Sequence, residues 1–167
     1  MKTLILMRHA QAEHTGDQMP DFDRQLTPDG HNMATRTAVA LNHARIRPDR
    51  IVCSAAARTR QTAEIVASVS DFFGPVDSDE ALYLADSEQI AILVGQKAAE
   101  EEQTLLVVGH NPGIGELIAS LARETHPVPP STATVFELDV DQWEELPERI
   151  SAGHTLKKMI RKGEVVI

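Results

Sequence analysis

An apolar run too short to be a helix, followed at once by a helix start, recurs along this chain. That recurrence restricts the folds open to it more than any other feature. The clearest case is Thr104–Val108 (TLLVV), then Gly109-His110-Asn111-Pro112, then a stripe of Ile114, Leu117, Ile118 and Leu121. A run apolar at nearly every position suits a strand buried on both faces. Asn111 as N-cap, with Pro112 at the first helical position where no N–H is needed, accounts for the helix start. The pattern is already present at the amino end. Thr3–Met7 is apolar, and Gln11–Gln25 is polar with Gly16 and Pro20, the composition of a loop. Thr27 and Pro28 then open a helix striped with Met33, Ala34, Ala38, Leu41 and Ala44.

Pro48 ends that unit. Ile51–Cys53 reads as the next strand, with Ser54 expected to cap a helix running through Thr62, Ile65, Val66 and Val69. Gly74-Pro75 breaks the chain, a weak strand is expected near Val76, and Ser87 starts a helix with Ile90, Leu93, Val94 and Ala98 on its apolar face. Ala133–Val140 alternates as a strand nearer a sheet edge would, and a basic tail follows from Thr155. The tail reads as a solvated face and is given no role. Strands alternating with helices predict an α/β fold of three layers, α/β/α. Its central sheet is mostly parallel, helices cover both faces, and there is no large lid insertion. The 167 residues suit one domain, 1–167, with a single core.

In such sheets ligands bind beyond the carboxyl ends of the strands. The first strand ends in Arg8-His9, the second runs into Ser54 and Arg58, and the clearest ends in Gly109-His110. If these strands are parallel neighbours, two arginines and two histidines meet at one edge. Planar guanidinium forks match phosphate oxygens, and a helix N-terminus near Arg58 adds free N–H groups. Neutral imidazole is a nucleophile available near pH 7. The whole chain, by contrast, has a formal net charge of -9, which argues against nucleic acid or an anionic membrane as a partner. A phosphate site here must be a local positive spot in an acidic protein.

These segments carry a resemblance. Arg8-His9-Ala10 resembles the R-H-G motif of the histidine phosphatase superfamily. Ser54-Ala55-Ala56-Ala57-Arg58-Thr59-Arg60-Gln61-Thr62 is similar to its S-x-x-x-R-x-x-x-T segment, and Gly109-His110 to its later G-H motif. All three fall in order, so the likeness spans almost the whole chain. The short length resembles the compact SixA-type phosphohistidine phosphatases, as does Arg24 ahead of Leu26-Thr27-Pro28-Asp29-Gly30.

The resemblance implies His9 as the phosphorylated nucleophile, with Arg8, Arg58 and His110 completing the phosphate pocket and Arg24 as a further substrate contact. It implies no metal and no cofactor. The substrate would be phosphohistidine in a protein or, as the alternative, a small phosphate ester. A phosphate- or phosphoprotein-binding module without turnover is the rival from another class. Ala10 departs from the glycine of the motif, a change without cost if its φ is negative. Ester-cleaving relatives use a carboxylic acid on the leaving oxygen; Glu80 is expected in that role, with Asp86 second.

Cys53, the one cysteine, precludes an internal disulfide and suits a reducing cytoplasm. With Arg58 it is similar to the loop of cysteine-dependent phosphatases, but the spacing is one residue short and a buried structural cysteine is expected. His14, His31, His43, His126 and His154 match no zinc spacing and are expected at the surface. No apolar run reaches the roughly 18 residues of a membrane helix.

Overall fold

The computed structural model describes residues 1–14 and 16–167. Its strands are β1 (Lys2–Arg8), β2 (Arg50–Ser54), β3 (Val76–Asp79), β4 (Thr104–Gly109), β5 (Ala133–Leu138), β6 (Thr155–Arg161) and β7 (Glu164–Val165). Its α-helices are α1 (Pro28–His43), α2 (Ala57–Val69), α3 (Ser87–Lys97), α4 (Gly113–Ala122) and the short α5 (Leu146–Arg149). The strands form one sheet in the order β3-β2-β4-β1-β5-β6-β7. The first four are mutually parallel; β5, β6 and β7 add antiparallel.

Successive side chains on a strand point to opposite faces, and here both faces are covered. Leu4, Leu6, Leu105 and Val107 pack with Ile90, Ile114 and Leu117 of α3 and α4. Ile5, Met7, Leu106 and Val108 pack with Ala38, Leu41, Ala63 and Val66 of α1 and α2. This two-sided burial is why the strands read as continuous apolar runs, and it gives the three layers expected. No helix among the described residues is long and apolar enough to cross a membrane.

Three local expectations need correction. Ala133–Leu138 is not near an edge but lies between β1 and β6, because the tail after Thr155 pairs as β6 and β7. Ser54 does not cap α2, whose N-cap is Ala56 without a side-chain bond. Helix α4 starts at Gly113, one residue later than expected; Asn111 still accepts the Gly115 N–H through Oδ1 at 3.0 Å. Thr27, by contrast, caps α1 as expected, accepting the Gly30 N–H at 2.9 Å.

Two glycines let the connections close over the carboxyl edge of the sheet. A Cβ on Gly30 would collide with the Gln11 carbonyl, and one on Gly113 with the Ala85 carbonyl. Only a residue without a side chain permits these backbones to touch. The first contact folds the long connection from β1 to α1 inward. The second draws the 80–86 connection toward the start of α4.

Candidate active site

The sheet order makes β2, β4 and β1 neighbours, so their carboxyl ends deliver Ser54, Gly109-His110 and Arg8-His9 side by side. Arg8 lies in register with Gly109, and the His9 N–H donates to the Gly109 carbonyl at 3.1 Å. Arg58 enters from the first turn of α2. Residues three and four apart share a helix face, which explains what Arg58, Gln61 and Thr62 do together. Thr62 Oγ1 accepts the Ala10 N–H at 3.1 Å and donates to the Arg58 carbonyl at 2.7 Å. Gln61 Oε1 accepts the Leu26 N–H at 2.8 Å. The helix thus presents the arginine and also fastens the loop after His9. Ala10 has no positive φ, and its methyl packs with Leu26 and Ala34, so glycine is not needed there.

His9 is 8% exposed, and its two ring nitrogens have distinct partners. Nδ1 lies 2.7 Å from the Ala10 carbonyl, an acceptor only, so Nδ1 carries the proton. Nε2 accepts from Arg58 Nε at 3.3 Å and therefore presents its lone pair. Burial, reinforced by the Arg58, Arg8 and Arg24 charges, lowers the His9 pKa to about 4, against the smaller opposing effect of the Ala10 hydrogen bond. The ring is neutral at physiological pH, the form a nucleophile requires.

His110, 3% exposed, lies with its ring centroid 5.4 Å from that of His9. Its Nε2 is 2.8 Å from Ser54 Oγ, and its buried Nδ1 has no partner among the described residues. Burial, then Arg58, pushes it down to about 3. Ser54, expected as a cap, is instead the residue that orients His110.

Arg58 is 3% exposed, and a charge so deeply buried requires compensation. Asp21 supplies it twice: its carbonyl accepts Nη1 at 2.7 Å and its carboxylate Oδ2 accepts Nη2 at 2.9 Å. Asp21 Oδ1 also accepts Arg24 Nη1 at 2.7 Å, and Oδ2 accepts the Tyr83 hydroxyl. The Tyr83 hydrogen bond, followed by those of the two arginines, holds the Asp21 carboxyl far below the usual carboxylate range. Half-buried Arg8 donates from Nη1 to the Val128 carbonyl at 3.1 Å, and its buried Nε has no partner among the described residues. Burial and the Arg58 charge lower the Arg8 pKa.

The structure thus brings Arg8, His9, Arg58 and His110 to one edge. Arg24 stands one step back, bonded to Asp21 and to the Glu13 carbonyl. Glu80 opens the turn Glu80–Leu82 directly after β3, is exposed, and makes no side-chain hydrogen bond to a described residue. Asp86 is committed to capping α3, accepting the Gln89 N–H at 2.9 Å. The residue of this connection that reaches the site is Tyr83, whose ring meets His110 edge-on at 5.4 Å and Phe22 at 5.0 Å. Cys53 is fully buried with its thiol pushed up to about 12 by burial, the structural cysteine expected. His14, His31 and His43 are exposed, whereas His126 and His154 are half-buried.

Residues 4–84 match the family model of the histidine phosphatase superfamily, branch 1. A candidate phosphohistidine phosphatase SixA of Nakamurella multipartitia is 31% identical, with a TM-score of 0.76 over 96% of this chain and 95% of its own. Another, from Agrobacterium tumefaciens, is 26% identical with a TM-score of 0.77 over 96% and 97%. An uncharacterized protein of Mycobacterium leprae is 30% identical over 118 residues, 69% of this chain and 70% of its own. Fold, motif order and these likenesses agree: the chain belongs to the histidine phosphatase superfamily. Within that superfamily it is of the SixA type.

Proposed function

We propose that this chain is a phosphatase, a single catalytic domain over residues 1–167 that hydrolyses phosphohistidine in a protein through a phosphohistidine of its own on His9. The observation that carries the reading is the state of His9: neutral, protonated on Nδ1, with the Nε2 lone pair directed toward Arg58. A phosphoryl group entering there replaces that lone pair's contact with Arg58. Arg8 and Arg58 then hold its oxygens, and His110 donates to them from Nδ1, which has no partner among the described residues. Such reactions depend mainly on positioning and charge stabilisation. Water attacks the phosphorylated His9 in the second step and releases inorganic phosphate.

The substrate class follows from the leaving group. The carboxylate that Arg58 binds, that of Asp21, is ionised, and Glu80 is exposed with no side-chain hydrogen bond to a described residue. A site in which no protonated carboxyl is held in place among the described residues suits a leaving group that needs little protonation, and imidazole is a far better leaving group than an alkoxide. Small phosphate esters are the slower class. The reducing cytoplasm fits the buried thiol of Cys53.

The test is phosphate release from a phosphohistidine peptide and from phosphoserine, by wild type and His9→Ala, with chelator present. Faster release from the peptide, lost in the variant, is the expected result. Phosphate binding without release from either substrate would make the chain a binding module.

A further inference from the structure

We infer that Asp21 makes the pocket selective against substrates that carry a second anionic group beside the phosphoryl group. The inference rests on the phosphatase reading and adds to it the chemical class that the site refuses. A guanidinium has five N–H donors. In Arg58, Nε faces His9, one Nη1 hydrogen serves the Asp21 carbonyl and one Nη2 hydrogen serves the Asp21 carboxylate. A phosphoryl group arriving at His9 therefore shares this guanidinium with a carboxylate already seated on its outer side.

That carboxylate is held in place. Arg24 grips Oδ1 at 2.7 Å, and the Tyr83 hydroxyl donates to Oδ2. Arg24 is itself anchored to the Glu13 carbonyl at 2.6 Å. The arginine that a carboxylate-bearing substrate would need at the mouth is thus already paired. The surroundings have the same sign: the connection from β1 to α1 carries Glu13, Asp17, Asp21 and Asp23 against Arg24, and Glu80 is exposed on the 80–86 connection. Arg8 and Arg58 serve one phosphoryl group, and the cations bonded to Asp21 among the described residues, Arg24 and Arg58, are both already engaged. Phosphohistidine, whose imidazole is neutral or cationic, meets no repulsion there. A phosphate ester with an adjacent carboxylate does.

The experiment compares kcat/KM for phosphoglycolate with that for p-nitrophenyl phosphate, which bears no second anion. In Asp21→Asn the ratio of the two should rise about tenfold, the effect of removing one like charge a few ångströms away. Asp21→Glu, which keeps the charge, should keep the wild-type ratio. Thermal melts establish that both variants are folded. A ratio unmoved in folded Asp21→Asn, or moved equally by Asp21→Glu, overturns the inference. Hydrolysis by wild type of neither ester nor a phosphohistidine peptide would instead overturn the phosphatase reading, and the inference with it.

Discussion

The parallel side of the sheet and its antiparallel flank are built from different materials. Strands β3, β2, β4 and β1 all end on the same edge, and there the chain buries His9, Ser54, Arg58, Thr62 and His110. The flank of β5 with its lead-in from Ser131, β6 and the segment between them buries Phe136, Leu138, Trp143, Leu146 and Met159, and its buried polar side chains, Ser131, Thr132 and Thr134, are neutral hydroxyls. Parallel strands converge at one edge, so reactive groups can gather there. Antiparallel strands alternate direction and gather nothing. The flank reaches the site through its backbone instead: the Thr132 carbonyl accepts the Arg8 N–H and the Ser131 N–H donates to the His9 carbonyl, both at 3.0 Å. One side concentrates desolvated charge, and the other supplies apolar volume that offsets its cost. Activity and stability should therefore respond to different substitutions.

The largest expected effect is on the parallel side. His9→Ala should lower phosphate release at least about a thousandfold while the urea midpoint moves little, because a nucleophile has no substitute. On the flank, Phe136→Ala should cost about 3–5 kcal/mol of stability through cavity formation, measured by urea unfolding. Its kcat on a phosphohistidine peptide, in conditions where the variant stays folded, should match wild type. A large loss of kcat there would mean that the two regions are not separable.

Acid should weaken the parallel side first. Burial lowers His9 to about 4 and His110 to about 3 from an ordinary 6.5. Below pH 6.5 the unfolded chain takes up protons that the fold refuses, so stability falls as pH falls toward those values. The slope is at most about 1.4 kcal/mol per pH unit for each histidine. The urea midpoint should drop from pH 7 to pH 5, and less steeply in His110→Ala. The smallest effect is that of Ser54→Ala, which frees the His110 ring. Activity should fall about tenfold, the worth of one orienting hydrogen bond to a buried group, with the melting temperature little changed.

The parts of the site that were legible in the sequence sit at strand ends and at fixed helical spacing. Arg8, His9 and His110 follow apolar runs directly, and Arg58 precedes Thr62 by one helical turn. Asp21 and Tyr83 were not legible. Each lies in a connection without periodicity, and the backbone contacts at Gly30 and Gly113 fold these connections inward. Those two glycines were visible, but nothing local showed what they approach. Ser54 was misread because a serine after a strand caps a helix more often than it steers a histidine. In the fold, three of the four parallel strands were readable as buried runs, whereas β3 (VDSD), none of whose residues is fully buried, was expected only as a weak strand near Val76. The place of β5 was not readable, because it depends on β6, whose sequence (TLKKMIR) buries only Met159 and Ile160 fully.

The hydrogen bond from His9 Nδ1 to the Ala10 carbonyl has a further consequence. A carboxylate in that position would make the ring more basic and strengthen any bond it formed to phosphorus. A neutral carbonyl fixes the tautomer without that effect. Under the reading proposed here, the first chemical step exchanges one imidazole–phosphorus bond for another, and the acceptor is the less basic ring, because burial lowers His9 to about 4. The captured phosphoryl group keeps its transfer potential, and water can discharge it without first having to climb out of an energy well.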